Sequence, residues 1–176
     1  MIRTPPATST LRWSGWPQLV VHQAGWWACV IWMGWLGPAA MLGFSGAHLF
    51  LTRARLAQES AMVIAATLIG IILDSSLSMV GAVSYVGDRY VWASPLWLVA
   101  IWAGFGATLM HSQAILVRTR LTAFLTGALG GPAAYWGGER LERMSVMSDL
   151  GWAYVSASWT VAIILLHMLS SRLQKV

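Results

Sequence analysis

Four histidines and two carboxylates stand in otherwise apolar stretches of this chain: His22, His48, Glu59, Asp74, His111 and His167. Imidazole and carboxylate together can ligate a metal, exchange a proton as acid and base, or relay protons. No two histidines lie three or four residues apart, so no helical metal box is visible and no metal site is expected. The single cysteine, Cys29, excludes an intramolecular disulfide, a Cys-cluster zinc site, a Cys-ligated iron–sulfur cluster and a c-type haem attachment. The only lysine is Lys175, which excludes an intramembrane retinal Schiff base. No cofactor is assigned.

The elements that must position these residues follow from composition. Of the 176 residues, 57% are hydrophobic and 10% charged, too few polar groups to cover the core of a soluble domain. A lipid bilayer is the solvent such a chain implies, and a helix needs roughly 20 apolar residues to cross its ~30 Å of hydrocarbon. Six spans are expected, over 17–35, 37–51, 60–85, 95–116, 121–136 and 150–169, giving an all-α, polytopic transmembrane helical bundle. The first two are separated only by Gly37-Pro38. Fusing them into one bent helix gives the five-span alternative. The first span reads as a retained helix rather than a cleaved leader. Residues 1–15 read as a flexible tail, 16–170 as one transmembrane domain and 171–176 as a cytoplasmic tail.

Charge sets the orientation. With six spans, eight of the eleven basic residues fall on one side: Arg3, Arg12, Arg53, Arg55, Arg118, Arg120, Arg172 and Lys175. The other side holds Arg89, Arg140 and Arg143, offset by Asp88, Glu139, Glu142 and Asp149. Cytoplasmic loops carry the basic excess, so both termini are expected in the cytoplasm. Five spans would spread the basic residues over both sides. Tyr85, Tyr90, Tyr135, Trp92, Trp97, Trp136 and Trp152 mark an outer aromatic belt, and Trp13 and Trp16 an inner one. Arginines facing anionic headgroups account for a pI of about 10.2, so the expected partners are membrane lipids and not nucleic acid.

On this topology the four histidines and Glu59 share one depth band near the inner boundary. Separate interfacial histidines and a convergent site are both open readings. Asp74 lies near the middle of the third span, where a carboxylate must be protonated, paired or beside water. Fifteen residues at ~100° each put it about 60° from Glu59, so the two could line one polar track. Tyr135, Glu139 and Arg140 follow the Gly130-Gly131-Pro132 break and read as a helix terminus with surface pairing. Ala39, Gly43 and Ala47, and Gly127 with Gly131, are small-residue stripes expected to pack inside the bundle, a homodimer face being the alternative.

Two motifs carry a resemblance. The first is Pro95-Leu96-Trp97-Leu98 with Ile101-Trp102, Phe105, Thr108-Leu109 and His111-Ser112. The second is Gly127, Gly130-Gly131-Pro132, Tyr135, Gly138 and Arg140-Leu141. They resemble the small bacterial integral-membrane family catalogued as domain of unknown function 2878, with departures at Met110, Gln113 and Glu142. The resemblance draws attention to His48, Glu59, Asp74, His111 and Ser112 as site residues. It implies a lipid-linked role through genes for lipid-modifying enzymes that neighbour its members. Arg53 and Arg55 would hold an anionic lipid headgroup at the mouth of the site. The function leading from this is a membrane-embedded enzyme acting on a lipid, or the partner of a lipid-modifying enzyme, with a polar site near the cytoplasmic leaflet. A scaffold, a small proton-coupled transporter and a b-type cytochrome remain as other classes.

Overall fold

A computed structural model describes residues 15–87 and 92–175. Arg3, Arg12, Trp13, Asp88, Arg89, Tyr90 and most of the expected tail lie outside them. The helices are α1 (Trp16–Ile31), α2 (Leu36–Leu51), α3 (Leu56–Met79), α4 (Leu96–Thr108), α5 (Arg120–Leu125), α6 (Gly131–Arg140) and α7 (Asp149–Leu173). Short 3₁₀ turns, Arg53–Arg55 and Ala114–Val117, precede α3 and α5. The fold is therefore mostly helical, as expected. α1 and α2 are two helices packed on each other rather than one bent rod.

The third expected span is wrong at its end. Helix α3 stops at Met79, and Val83–Tyr85 form a strand, β1. The stop is a Schellman motif: Ala82 N–H donates to Leu77 O at 2.9 Å and Gly81 N–H to Ser78 O at 3.1 Å. It requires a left-handed residue, which Gly81 supplies at φ 70°. The end of α6 is built the same way, with Arg143 N–H on Gly138 O and Glu142 N–H on Glu139 O, both 2.9 Å. Here the left-handed position, φ 57°, is held by Glu142. Glycine adopts that conformation without the Cβ crowding that a larger residue meets there. After this turn Met144–Val146 form β2, antiparallel to β1, with Tyr85 opposite Met144 and Val83 opposite Val146. The ribbon ties the end of α3 to the end of α6.

Leu125 and Gly131 keep helical dihedrals on either side of a π-helical turn, Thr126–Gly130, so 120–140 forms one continuous rod. Pro132 sits inside it. Proline has no N–H and crowds the carbonyl four residues back, Ala128. The wider π turn accommodates the ring, and the Ser156 hydroxyl of α7 donates to Ala128 O at 3.0 Å. Gly127 and Gly131 face α7 at Thr160 and Trp159, so this stripe packs inside. The Ala39, Gly43 and Ala47 stripe does not. All three are exposed, and a Cβ on Gly43 would meet nothing within 4 Å. The expectation of internal packing fails there because α2 turns Met41, Phe44, Ser45 and His48 inward instead.

Helix α4 is the hub, packed by α1, α2 and α3, with ten of its thirteen residues buried. It ends at Thr108, eight residues before the expected end of the fourth span, and the chain continues as turns. Arg53–Met79 and Asp149–Leu173 are long and apolar enough to cross a membrane, and α2 and α4 are apolar but shorter. The outer face of α3 carries Ile64, Leu68 and Ile72, each more than half exposed, whereas its inner face carries Glu59, Asp74 and Ser75. Because a left-handed non-glycine residue costs about 1 kcal/mol or more, Glu142→Gly should raise the thermal midpoint of the purified protein. An unchanged or lower midpoint would contradict the strain assigned to Glu142.

Candidate functional site

Two separate nests of buried polar residues stand at the two ends of α3. At its start stands Glu59, its side chain 2% exposed. Its Oε2 receives the Nε2–H of His48 at 3.1 Å, and its Oε1 the Nε2–H of His111 at 3.0 Å. The two imidazole rings meet edge-on, centroids 5.0 Å apart. Helix α2 supplies His48, α3 supplies Glu59, and the turn after α4 supplies His111. Three of the residues singled out in the sequence therefore come together. His48 is fully enclosed, and the side chain of His111 is 19% exposed.

A fourth member was missed. Gln18 of α1 is completely buried. Its Nε2 donates to Ala107 O at 3.1 Å, and its Oε1 accepts from Ser112 N–H at 3.1 Å. A carbonyl can only accept and an amide N–H only donate, so these two contacts fix which way the amide points. The remaining hydrogen on Nε2 goes to His48 Nδ1 at 3.1 Å. His48 is therefore the neutral tautomer with its proton on Nε2, donating to Glu59. An amide within an apolar helix is the signal that could have revealed Gln18. Ser112 enters through its backbone, while its hydroxyl is buried without a partner.

One ligand atom from each of His48, Glu59 and His111 lies within 4.8 Å of the others, a set able to hold a metal ion. The expectation of no metal rested on the absence of helical spacing, which cannot register ligands drawn from three elements. The hydrogen bonds nonetheless favour protons over a cation. Metal on His48 Nε2 would need the proton on Nδ1, against the Gln18 N–H, and turning Gln18 over would oppose both backbone contacts.

The other histidines stand apart. His22 Nδ1 pairs with Gln113 Nε2 at 3.3 Å, and His167 Nδ1 with Val117 O at 2.7 Å. Arg53 and Arg55 are exposed on the turn before α3, with Arg53 stacked on the Phe50 ring at 5.0 Å.

At the far end of α3, Asp74 is wholly buried. Trp102 Nε1–H donates to Oδ2 at 2.8 Å, Tyr85 OH to Oδ1 at 3.2 Å, and Tyr135 OH also to Oδ1. The two phenols are 3.0 Å apart. Gly70 has no Cβ to block the Trp102 ring, which lies against it on its way to Asp74. The sequence had Tyr85, Tyr135 and Trp97 in an aromatic belt, but all three are 5% exposed or less. The ribbon and the π turn deliver the two tyrosines to the core, and Trp97 Nε1–H is committed to Val86 O at 2.9 Å. The expected surface pairing after the Gly-Gly-Pro break is likewise replaced. Glu139 accepts from Val146 N–H at 3.0 Å, and Arg140 lies over Trp136. The expected polar track does not form either. The buried face between the two carboxylates is Met62, Val63, Ala66, Gly70 and Leu73.

This is a helical chain with a carboxylate bridging two histidines at one end of its central helices and an aspartate–tyrosine–tryptophan knot at the other. It belongs to the family described as "Protein of unknown function (DUF2878)", whose sequence model matches residues 16–166. No curated protein and no solved structure matches the chain.

The Asp74 knot joins four elements, so its loss should be read in stability. Tyr135→Phe removes one donor and should cost about 1–3 kcal/mol. Asp74→Leu strands three donors and should cost more, with Asp74→Asn between them. Equal melting of the Asn and Leu variants would contradict the assignment.

Proposed function

We propose that this protein is a six-span inner-membrane protein, both termini cytoplasmic, that carries out acid–base chemistry on a lipid or does so as the partner of a lipid-modifying enzyme. One observation carries the proposal: a buried carboxylate gripped by two imidazoles, of which only His111 is open to its surroundings. Glu59 orients His111, Gln18 and His48 hold Glu59 in place, and His111 Nδ1 is the atom that takes or gives the proton. No described residue bonds that atom. The bilayer is supported by two helices of spanning length and by the apolar outer face of α3. Arg53 and Arg55, exposed beside Glu59 in the chain, suit an anionic headgroup. The apolar stretch between Glu59 and Asp74 weighs against a proton-coupled transporter. A scaffold or homodimer reading draws on the outward Ala39, Gly43 and Ala47 stripe.

The test is the lipid inventory of host cells lacking the gene, complemented by wild type, Glu59→Gln or His111→Gln at equal membrane abundance. Wild type should restore one lipid class, and each variant should lose at least ~100-fold of that conversion, the usual scale for a positioned acid–base group. Full restoration by both variants would leave the scaffold reading standing. Stoichiometric divalent metal that departs with His48→Ala would replace the proton site with a metal centre.

A further inference from the structure

A groove of about 370 Å³ runs along the opposite side of α4 from the Glu59 cluster. Its floor is Leu98, Ile101 and Phe105 of α4. One wall is α1, at Trp26 and Val30, and the other is Ala134 of α6 with Trp159 of α7. It exists because α1 packs on α2 and α4 while the 120–140 rod packs on α7, leaving α4 uncovered between them. Gln23 and Ala134 are exposed on its lining, so it opens sideways. From His22 to Val30, α1 lines it over ~12 Å of helix rise. At the far end Arg143 Nε–H donates to Val30 O at 2.7 Å and bridges the two walls.

The groove is polarised. At one end lies His22, 5% exposed. With the Gln113 amide on Nδ1, its proton sits on Nε2, and that buried atom has no partner. A buried N–H without an acceptor is unfavourable, so the vacant partner is an oxygen that accepts. At the other end the polar groups are already taken: Trp97 by Val86 O, and Trp102 and Tyr135 by Asp74. The Trp159 N–H, unbonded along the wall, has the Tyr135 hydroxyl as its neighbour. Leu116 is also part of the groove lining.

We propose that this groove binds the hydrocarbon chain of a fatty-acyl amphiphile, with its carboxyl or ester oxygen accepting from His22 Nε2–H and its tail running toward Met144. The cavity volume falls within the ~300–1,000 Å³ of ordinary ligand sites, and its lining matches the chemistry of an acyl chain. The side opening admits such a molecule from the bilayer. The site stands independently of the Glu59 cluster, which lies among α2, α3 and the end of α4.

Photolabelling of the purified full-length protein in phosphatidylcholine nanodiscs tests this, using a sixteen-carbon fatty acid with a diazirine in its tail. Label should map to Trp26, Val30 and Ile101 and be displaced by unlabelled palmitate. Ala134→Trp, at an exposed wall position the fold does not depend on, should cut that labelling at least tenfold. His22→Phe keeps the bulk and removes the donor. It should weaken the acid about tenfold, the scale of one hydrogen bond to a charged group, and leave a diazirine alkane of equal length unaffected. The proposal is overturned if Ala134→Trp labels like wild type, if label spreads evenly over outward positions such as Ile64 and Leu68, or if a long-chain quinone displaces the probe and palmitate does not.

Discussion

Glu59 is a charge-bearing side chain enclosed among apolar helices, and the arrangement of α1, α2, α3 and the turn after α4 follows from satisfying it. An uncompensated buried carboxylate costs several kcal/mol. Two charge-assisted hydrogen bonds of about 1.5–3 kcal/mol each offset this, provided both imidazoles present N–H to it. That condition propagates outward. His48 must carry its proton on Nε2, so Nδ1 needs a donor, which Gln18 provides. Gln18 can face that way because Ala107 O and Ser112 N–H hold its other atoms. One carboxylate thus fixes a tautomer, an amide orientation and the approach of α1 to α4. His111, its side chain 19% exposed, is the imidazole of the pair that reaches its surroundings.

Asp74 imposes the same constraint at the opposite end of α3, about 22 Å away by helix rise. Three neutral donors answer it there instead of histidines. Two of them come from segments that interrupt regular helix. Tyr85 arrives on a strand after a glycine-terminated helix, and Tyr135 on a rod shaped by a π turn. The irregular backbone is therefore what closes the knot. The Ser156 hydroxyl on Ala128 O keeps the carbonyl opposite Pro132 from being left bare. The same break between α1 and the 120–140 rod that leaves α4 uncovered forms the apolar groove.

The sequence was informative where periodicity and charge govern the outcome. Six apolar stretches correspond to the helical units, with the 121–136 stretch lying inside the π-interrupted rod. His48, Glu59 and His111 were visible because an ionisable group in an apolar stretch needs a partner. What escaped notice was set by tertiary contacts. Gln18 was passed over as one polar residue in a hydrophobic run. Tyr85 and Tyr135 looked interfacial because their depth along the chain is right, but depth does not say whether a ring points outward or into the bundle. The early end of α3 was legible in Gly81, since a glycine after a serine-rich helical turn suits a left-handed cap. The ribbon was not, because three-residue strands carry too little pattern. Glu142 shows a departure from the family motif becoming a backbone conformation: the position is left-handed.

The dependence of the His48 tautomer on Gln18 underlies the whole Glu59 cluster. It is tested most directly by nitrogen NMR of ¹⁵N-histidine-labelled protein in nanodiscs, with His48 assigned from the loss of its signals in His48→Gln. The wild-type protein should show a neutral His48 ring with a protonated Nε2 and an accepting Nδ1, shifting to mixed tautomers in Gln18→Leu. A His48 ring protonated on Nδ1 in the wild-type protein, or one whose Nε2 shift marks a bound metal, would contradict it.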